Sequence, residues 1–242
     1  MKKNSNLKST IKFGIYSSIS LSILTIITFG FAMTAVPPAG PYCPGNCMSY
    51  PYPDILLYYP RDYYWMYLAI FQLFAYIIFI FTNHFLSAVE KKLYGFISCA
   101  FALISTAVLL IAYYTQFSII PVSLMKGETE GIALFTQYNG HGIFIALEEL
   151  GFITMSISFL FHSFIFSMKN RLEKSMRLLL MLPFLITIFS FILYSFQFGI
   201  DRDYRFEVAT LSINWLVIIV IGILNSIYLK RIINSNSNIA EV

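Results

Sequence analysis

The chain has 242 residues, 58% of them hydrophobic and only 12% charged, with a formal net charge of +4. Soluble domains carry about 25% charge and fewer apolar residues, so this balance excludes an ordinary soluble domain and points to an integral membrane protein. The basic residues lie in short clusters between apolar spans, which explains the positive charge by orientation in a bilayer and argues against nucleic acid as a partner.

About 20 apolar residues cross a bilayer as helix. Six such stretches occur, over approximately 11–36, 63–81, 93–122, 142–167, 178–198 and 208–229. The expected fold is therefore all-α, a bundle of six transmembrane helices forming a single transmembrane domain. The first stretch follows Lys2, Lys3, Lys8 and Lys12, as a signal peptide would. Its apolar part exceeds the about 7–15 residues of a signal core, and no small-x-small site ends it, so it reads as an uncleaved anchor. The third stretch is long enough to tilt or to break near Pro121. Residues 230–242 form a polar tail, expected to fray.

Lysine and arginine set an expected orientation. With the N-terminus inside, the inner segments hold Lys2, Lys3, Lys8, Lys12, Lys91, Lys92, Lys169, Arg171, Lys174, Arg177, Lys230 and Arg231. The outer segments hold only Arg61, Lys126, Arg202 and Arg205. This asymmetry predicts that both termini are cytoplasmic, most simply in the plasma membrane. Asp54, Asp62, Glu128, Glu130, Asp201, Asp203 and Glu207 then make the outer face acidic.

The outer loop, 37–62, is rich in Pro, Gly, Tyr and Cys. Cys43 and Cys47 flank Pro44-Gly45, a turn signal that brings two thiols within disulfide reach in an oxidising compartment. A structural staple, free thiols and a redox dithiol all fit this spacing. Cys99 falls inside the third span as a lone, packed thiol. The tyrosines of the loop, with Trp65, suit a membrane–water boundary or a platform for a ring-shaped ligand.

The fourth span contains Glu148 and Glu149 side by side. An acid at the centre of a membrane helix costs about 2.5–3.5 kcal/mol, so it faces protein or a water-filled space rather than lipid. Adjacent residues differ by about 100° around a helix. One carboxyl can therefore line a cavity while the other bonds to a neighbouring helix. Glu148 is the expected lining residue, because a seven-residue step aligns it with His141, Met155 and His162. Gln72, Gln116, Gln197 and Asn214 fall in the same half of their spans, each costly unless paired. With Glu148, Glu149 and His141 they suggest a polar pocket open to the outside.

No motif fixes a reaction. The Glu-Glu pair has Ile153 where CAAX-type intramembrane proteases carry an arginine, and Gly-x-Ser-Gly is absent. His84 and His162 fall at the opposite membrane face from His141, too far to complete a metal site with it. No cofactor is implied. The first reading is a protein that binds or transports a small molecule through an outward-facing pocket with a protonatable glutamate. The second is a structural or accessory subunit, partnered by other membrane subunits, in which the glutamates bond helices together. An intramembrane enzyme is third. Membrane lipid is a partner under every reading.

Overall fold

The computed structural model describes residues 2–35 and 37–240, with the side chains of 7–35 and 37–234. Its regular structure is helical: α1 (Lys2–Thr34), α2 (Tyr64–Leu86), α3 (Lys92–Ser118), α4 (Ile120–Met125), α5 (Ile132–Phe135), α6 (Ile143–Ser163), α7 (Arg171–Phe198) and α8 (Tyr204–Ala240), with short 3-10 turns between some of them. Six helices are long and apolar enough to cross a membrane, the third of them being α3 continued by α4. The chain is thus all-helical and has the make-up of a multi-pass membrane protein.

Local chemistry sets the helix ends. The third span breaks at Ile119, two residues before Pro121, and α4 resumes with the Ser123 amide donating to the Ile119 carbonyl. Helix α7 starts at Arg171 rather than near 178, because the Asn170 side chain caps the Glu173 amide at 2.9 Å and the charged first turns are good helix formers. Helix α8 starts at Tyr204 rather than 208, which brings Glu207 into its first turn. It continues through Ala240 where a frayed tail was expected, since neither Gly nor Pro follows Lys230. Val36, the expected end of the first span, and the last two tail residues lie outside the described residues, as do the side chains of Lys2 and Lys3.

Helices α1, α2, α3, α6 and α8 pack in sequence around a ring that α8 closes against α1. Helix α7 packs against both α6 and α8, which also touch each other, so it lies outside the ring. Only 22% of its most apolar window is buried, the lowest share of the six. Its exposed Leu, Ile and Phe side chains, such as Phe189 and Ile192, would meet lipid.

Aromatic rings fill the ring's centre. Trp65 of α2 stacks edge-on to Tyr113 of α3 at 5.2 Å and to Trp215 of α8 at 6.1 Å. Phe29 of α1 and Phe152 of α6 complete the contact around Trp215. Small residues let backbones approach. At Gly222 a Cβ would collide with Ser22 and the Ser18 carbonyl of α1.

The two ends of the bundle differ. One carries both termini and the short links 87–91 and 164–170. The other carries the short link 199–203 and two long connections, after α1 and after α3, which form a cap. Ala39, Tyr52 and Ile55 from the first connection bury themselves against Ile120, Ile132 and Tyr138 from the second. Glu148 lies beneath this cap.

Candidate functional site

Glu148 sits in the second turn of α6, because the helix begins at Ile143 after the extended Gly142. Only 2% of it is exposed, and it lines a cavity of about 390 Å³ under the cap. The walls come from the end of α1 (Phe29, Ala32, Met33), the following loop (Pro37, Pro38, Tyr42), the 3-10 turn before α2 (Asp62), the start of α2 (Trp65), Gln137 and Tyr138, and the starts of α6 and α8. Helix α8 contributes Tyr204, Glu207 and Leu211. Glu148 faces Glu207 across the α6–α8 contact, and Tyr113 of α3 stands beside it. Among the described residues, Glu148 Oε1 has no hydrogen-bond partner.

Glu149 points elsewhere. Its Oε2 meets Arg202 Nη2 at 3.4 Å, and the Arg202 guanidinium stacks over Phe191 of α7 and Phe206 of α8. This pairing ties α6 to the α7–α8 connection outside the cavity. Two adjacent residues thus reach different surroundings, as a turn of about 100° between neighbours dictates.

The other sequence candidates are scattered. His141 precedes the first residue of α6, lies in a turn and is exposed, so helical periodicity does not carry it onto the Glu148 face. Gln116 is buried and latches the cap: its Nε2 donates to the Phe135 carbonyl at 2.6 Å, and its Oε1 accepts from the Gln137 amide at 2.8 Å. Asn214 Nδ2 donates to the Thr210 carbonyl at 2.8 Å and reaches Phe152 O at 3.4 Å, joining α8 to α6. Gln72 is buried in α2 and is not among the cavity walls. Gln197 is exposed on the outer helix α7. Cys43 and Cys47 are joined by a disulfide with a Cα–Cα distance of 5.9 Å, and Cys99 is free and buried.

Glu207 and Asp62 are site residues that sequence reasoning placed in the outer loops. Asp62 is buried, accepts from Arg61 Nε at 2.6 Å and accepts from the Tyr138 hydroxyl at 3.2 Å. Burial holds the Tyr138 phenol well above its usual range, so it serves as a donor. The Tyr204 hydroxyl donates to the Gln137 carbonyl at 3.1 Å, fixing the start of α8 under the cap. A signal for Glu207 existed. It lies seven residues before Asn214 and so on the same helical face, but an assumed start at Val208 left it out by one residue.

The site has three carboxyls, and among the described residues no Lys, Arg or His lines it. Arg61 turns outward, its side chain 55% exposed and stacked over Tyr58. Among the described residues, no three His, Cys, Asp or Glu side chains converge as ligands for a metal ion. The arrangement can exchange a proton at the Glu148–Glu207 pair and can hold a partly apolar molecule against aromatic walls. No family model matches the sequence, and neither a curated protein nor a solved structure matches it.

Proposed function

We propose that this chain binds a small molecule in the capped cavity and carries it across a membrane, with Glu148 as the protonatable group. One observation carries the reading. Glu148 is almost fully buried, lines the cavity, and has an oxygen without a partner among the described residues. A polar group kept dry and unpaired is costly in a protein interior, and intramembrane acids mark substrate and proton paths. The cavity volume suits a small ligand.

In this reading both termini are cytoplasmic, the cap faces outward, and the membrane is the plasma membrane. The clustering of Lys91, Lys92, Lys169, Arg171, Lys174, Arg177, Lys230 and Arg231 at the terminal end supports that orientation. The accessory-subunit reading draws on Glu149, whose pairing with Arg202 is what helix glue requires. Among the described residues, Glu148 has no such basic partner.

The test is an infrared pH titration of the protein in lipid. The expected result is a carboxyl band that changes with pH, is lost in Glu148→Gln and survives in Glu149→Gln. Because Glu148 and Glu207 face each other, Glu207→Gln should shift the same band. Carboxyls that keep one protonation state throughout would sink the proton-carrying role.

A further inference from the structure

The walls of the cavity restrict what enters it. Phe29, Trp65, Phe144 and Tyr204 present ring surfaces. Asp62, Glu148 and Glu207 supply negative groups, and among the described residues no basic side chain lines the space to neutralise them. Asp62 has its own partners in Arg61 and the Tyr138 hydroxyl. Glu148 and Glu207 have no basic partner among the cavity walls: Arg202 is taken by Glu149 and two phenyl rings, and Arg205 lies over the Phe198 ring beside Asp203. An anion would meet repulsion here with no compensating donor charge. A neutral apolar molecule would leave the unpaired Glu148 oxygen dry. A small hard metal ion needs about six oxygen ligands, and no convergent set of acids and imidazoles exists among the described residues.

We propose that the cavity takes a monovalent organic cation with an apolar or aromatic body, seated between Glu148 and Glu207 in exchange for one proton. This rests on the small-molecule reading above and names its ligand class. Repulsion between facing carboxylates is relieved either by a proton on one of them or by a cation between them. The two relieving species therefore compete for one place. When the cation enters, the carboxyl proton leaves to water. When the cation departs, a proton returns. Total charge in the site stays constant, so the pair is doubly ionised only while a cation sits between its carboxylates. The rings complete the cage, since a desolvated cation over an aromatic face gains electrostatically from it.

The charged and titratable groups facing this pair come from several elements. Asp62 lies on the approach to α2, Tyr113 on α3, Tyr138 in the cap, Tyr204 on α8 and Tyr42 in the first loop, while Asp203 and Arg205 stand as an opposite-charge pair at the rim beside Tyr42. Glu149 with Arg202 adds a balanced pair behind it. Of these, the carboxyls of Glu148 and Glu207 are the ones with no cation of their own, and α1 brings only apolar side chains to the cavity.

The experiment uses the full chain in lipid nanodiscs with two probes of one shape. Benzyltrimethylammonium carries a permanent charge, and neopentylbenzene is its neutral carbon isostere. Calorimetry in buffers of different ionisation enthalpy reads both affinity and protons released. The expected result is that the cation binds at least about tenfold more tightly than the isostere. It should release one proton, and its affinity should rise about tenfold per pH unit while the pair holds that proton. Glu148→Gln should abolish proton release, and Trp65→Leu, which keeps the carboxyls, should weaken the cation while leaving proton release intact. Equal binding of the two probes, binding of neither, or cation binding without proton release would each overturn the proposal. The infrared titration separates the two levels. A titrating Glu148 band with no preference for the cation removes only the ligand class, whereas a silent band removes the proton-carrying reading itself.

Discussion

The α3–α6 seam is built differently at its two ends. Toward the termini, hydroxyls close it. Ser158 donates to the Ser98 carbonyl at 2.9 Å, the Ser98 and Ser158 hydroxyls meet at 3.2 Å, and His162 Nδ1 lies 3.3 Å from Ser98 Oγ. Midway, Ser105 donates to the Gly151 carbonyl at 2.8 Å. Toward the cap, Glu148 takes the place of the small hydroxyls; it stands beside Tyr113 of α3 and turns to a cavity that it lines with the start of α8. A serine is short enough to use the facing backbone, so its demand is met by the fold itself. A glutamate with aromatic neighbours finds little of that and keeps an unmet oxygen. At Ser98, Ser105, Ser158 and Glu148, buried polarity sorts into glue and site by what the facing helix can offer, although Thr106 Oγ1 and His162 Nε2 also go unpaired among the described residues.

The sharpest way to break this contrast is at Glu148. Glu148→Gln should abolish pH-linked binding while leaving thermal unfolding in detergent near that of the parent. Glu148→Leu should also keep a monodisperse bundle, because no basic partner among the cavity walls is orphaned by the change. Aggregation of Glu148→Leu in size-exclusion chromatography would instead make this glutamate glue, and the two ends of the seam would be the same kind of thing. A large effect on stability belongs where backbones touch. Gly222→Leu pushes a side chain into Ser22 and the Ser18 carbonyl, and α1 must move off α8. Overpacking of this kind costs about 1–3 kcal/mol. The loss should appear as a lower melting temperature, and it should exceed that of the same change at Gly30, where a Cβ would meet nothing within 4 Å.

The hydroxyl end should respond weakly. Ser98→Ala removes the Ser98 hydroxyl's contacts with Ser158 Oγ and His162 Nδ1, each worth about 0.6 kcal/mol on average in a membrane interior, and leaves ligand binding untouched. A Ser98→Ala variant that lost binding would mean that the two ends of the seam are coupled.

Much of the bundle was legible in the sequence because membrane crossing is a matter of apolar length, and length is read directly. The starts of α7 and α8 were not, because their first turns are charged and look like loop to a hydropathy reading. That error moved Glu207 outside the helix and hid half of the carboxyl pair. Periodicity separated Glu148 from Glu149, and in the structure one lines the cavity while the other meets Arg202. Periodicity misled at His141, since the helix had not yet begun there. Depth placed Gln197 with the buried amides, but depth says nothing of rotation, and α7 shows that residue to the outside.

The smallest effect is expected at the rim, where Asp203 tests whether charge outside the cavity follows the same rule. Asp203 adopts a left-handed backbone with φ of 50°, which aspartate tolerates better than most side chains. Its carboxyl rests against Gly140, where any Cβ would strike it, and its neighbour Tyr204 lines the cavity. Burial raises its pKa, opposed by the Tyr204 amide, Arg205 and His141. The folded state therefore holds a proton at pH values where the unfolded chain has released it. Stability from this group is fully present below the ordinary aspartate value and declines as pH rises to the raised value, after which it is flat. Thermal unfolding across the acid range should show that shallow decline in the parent, and Asp203→Asn should remove it, because an amide has no proton to lose. A decline that survives in Asp203→Asn would assign it to other groups, and the rim would then contribute shape to the cavity through Tyr204 but no charge.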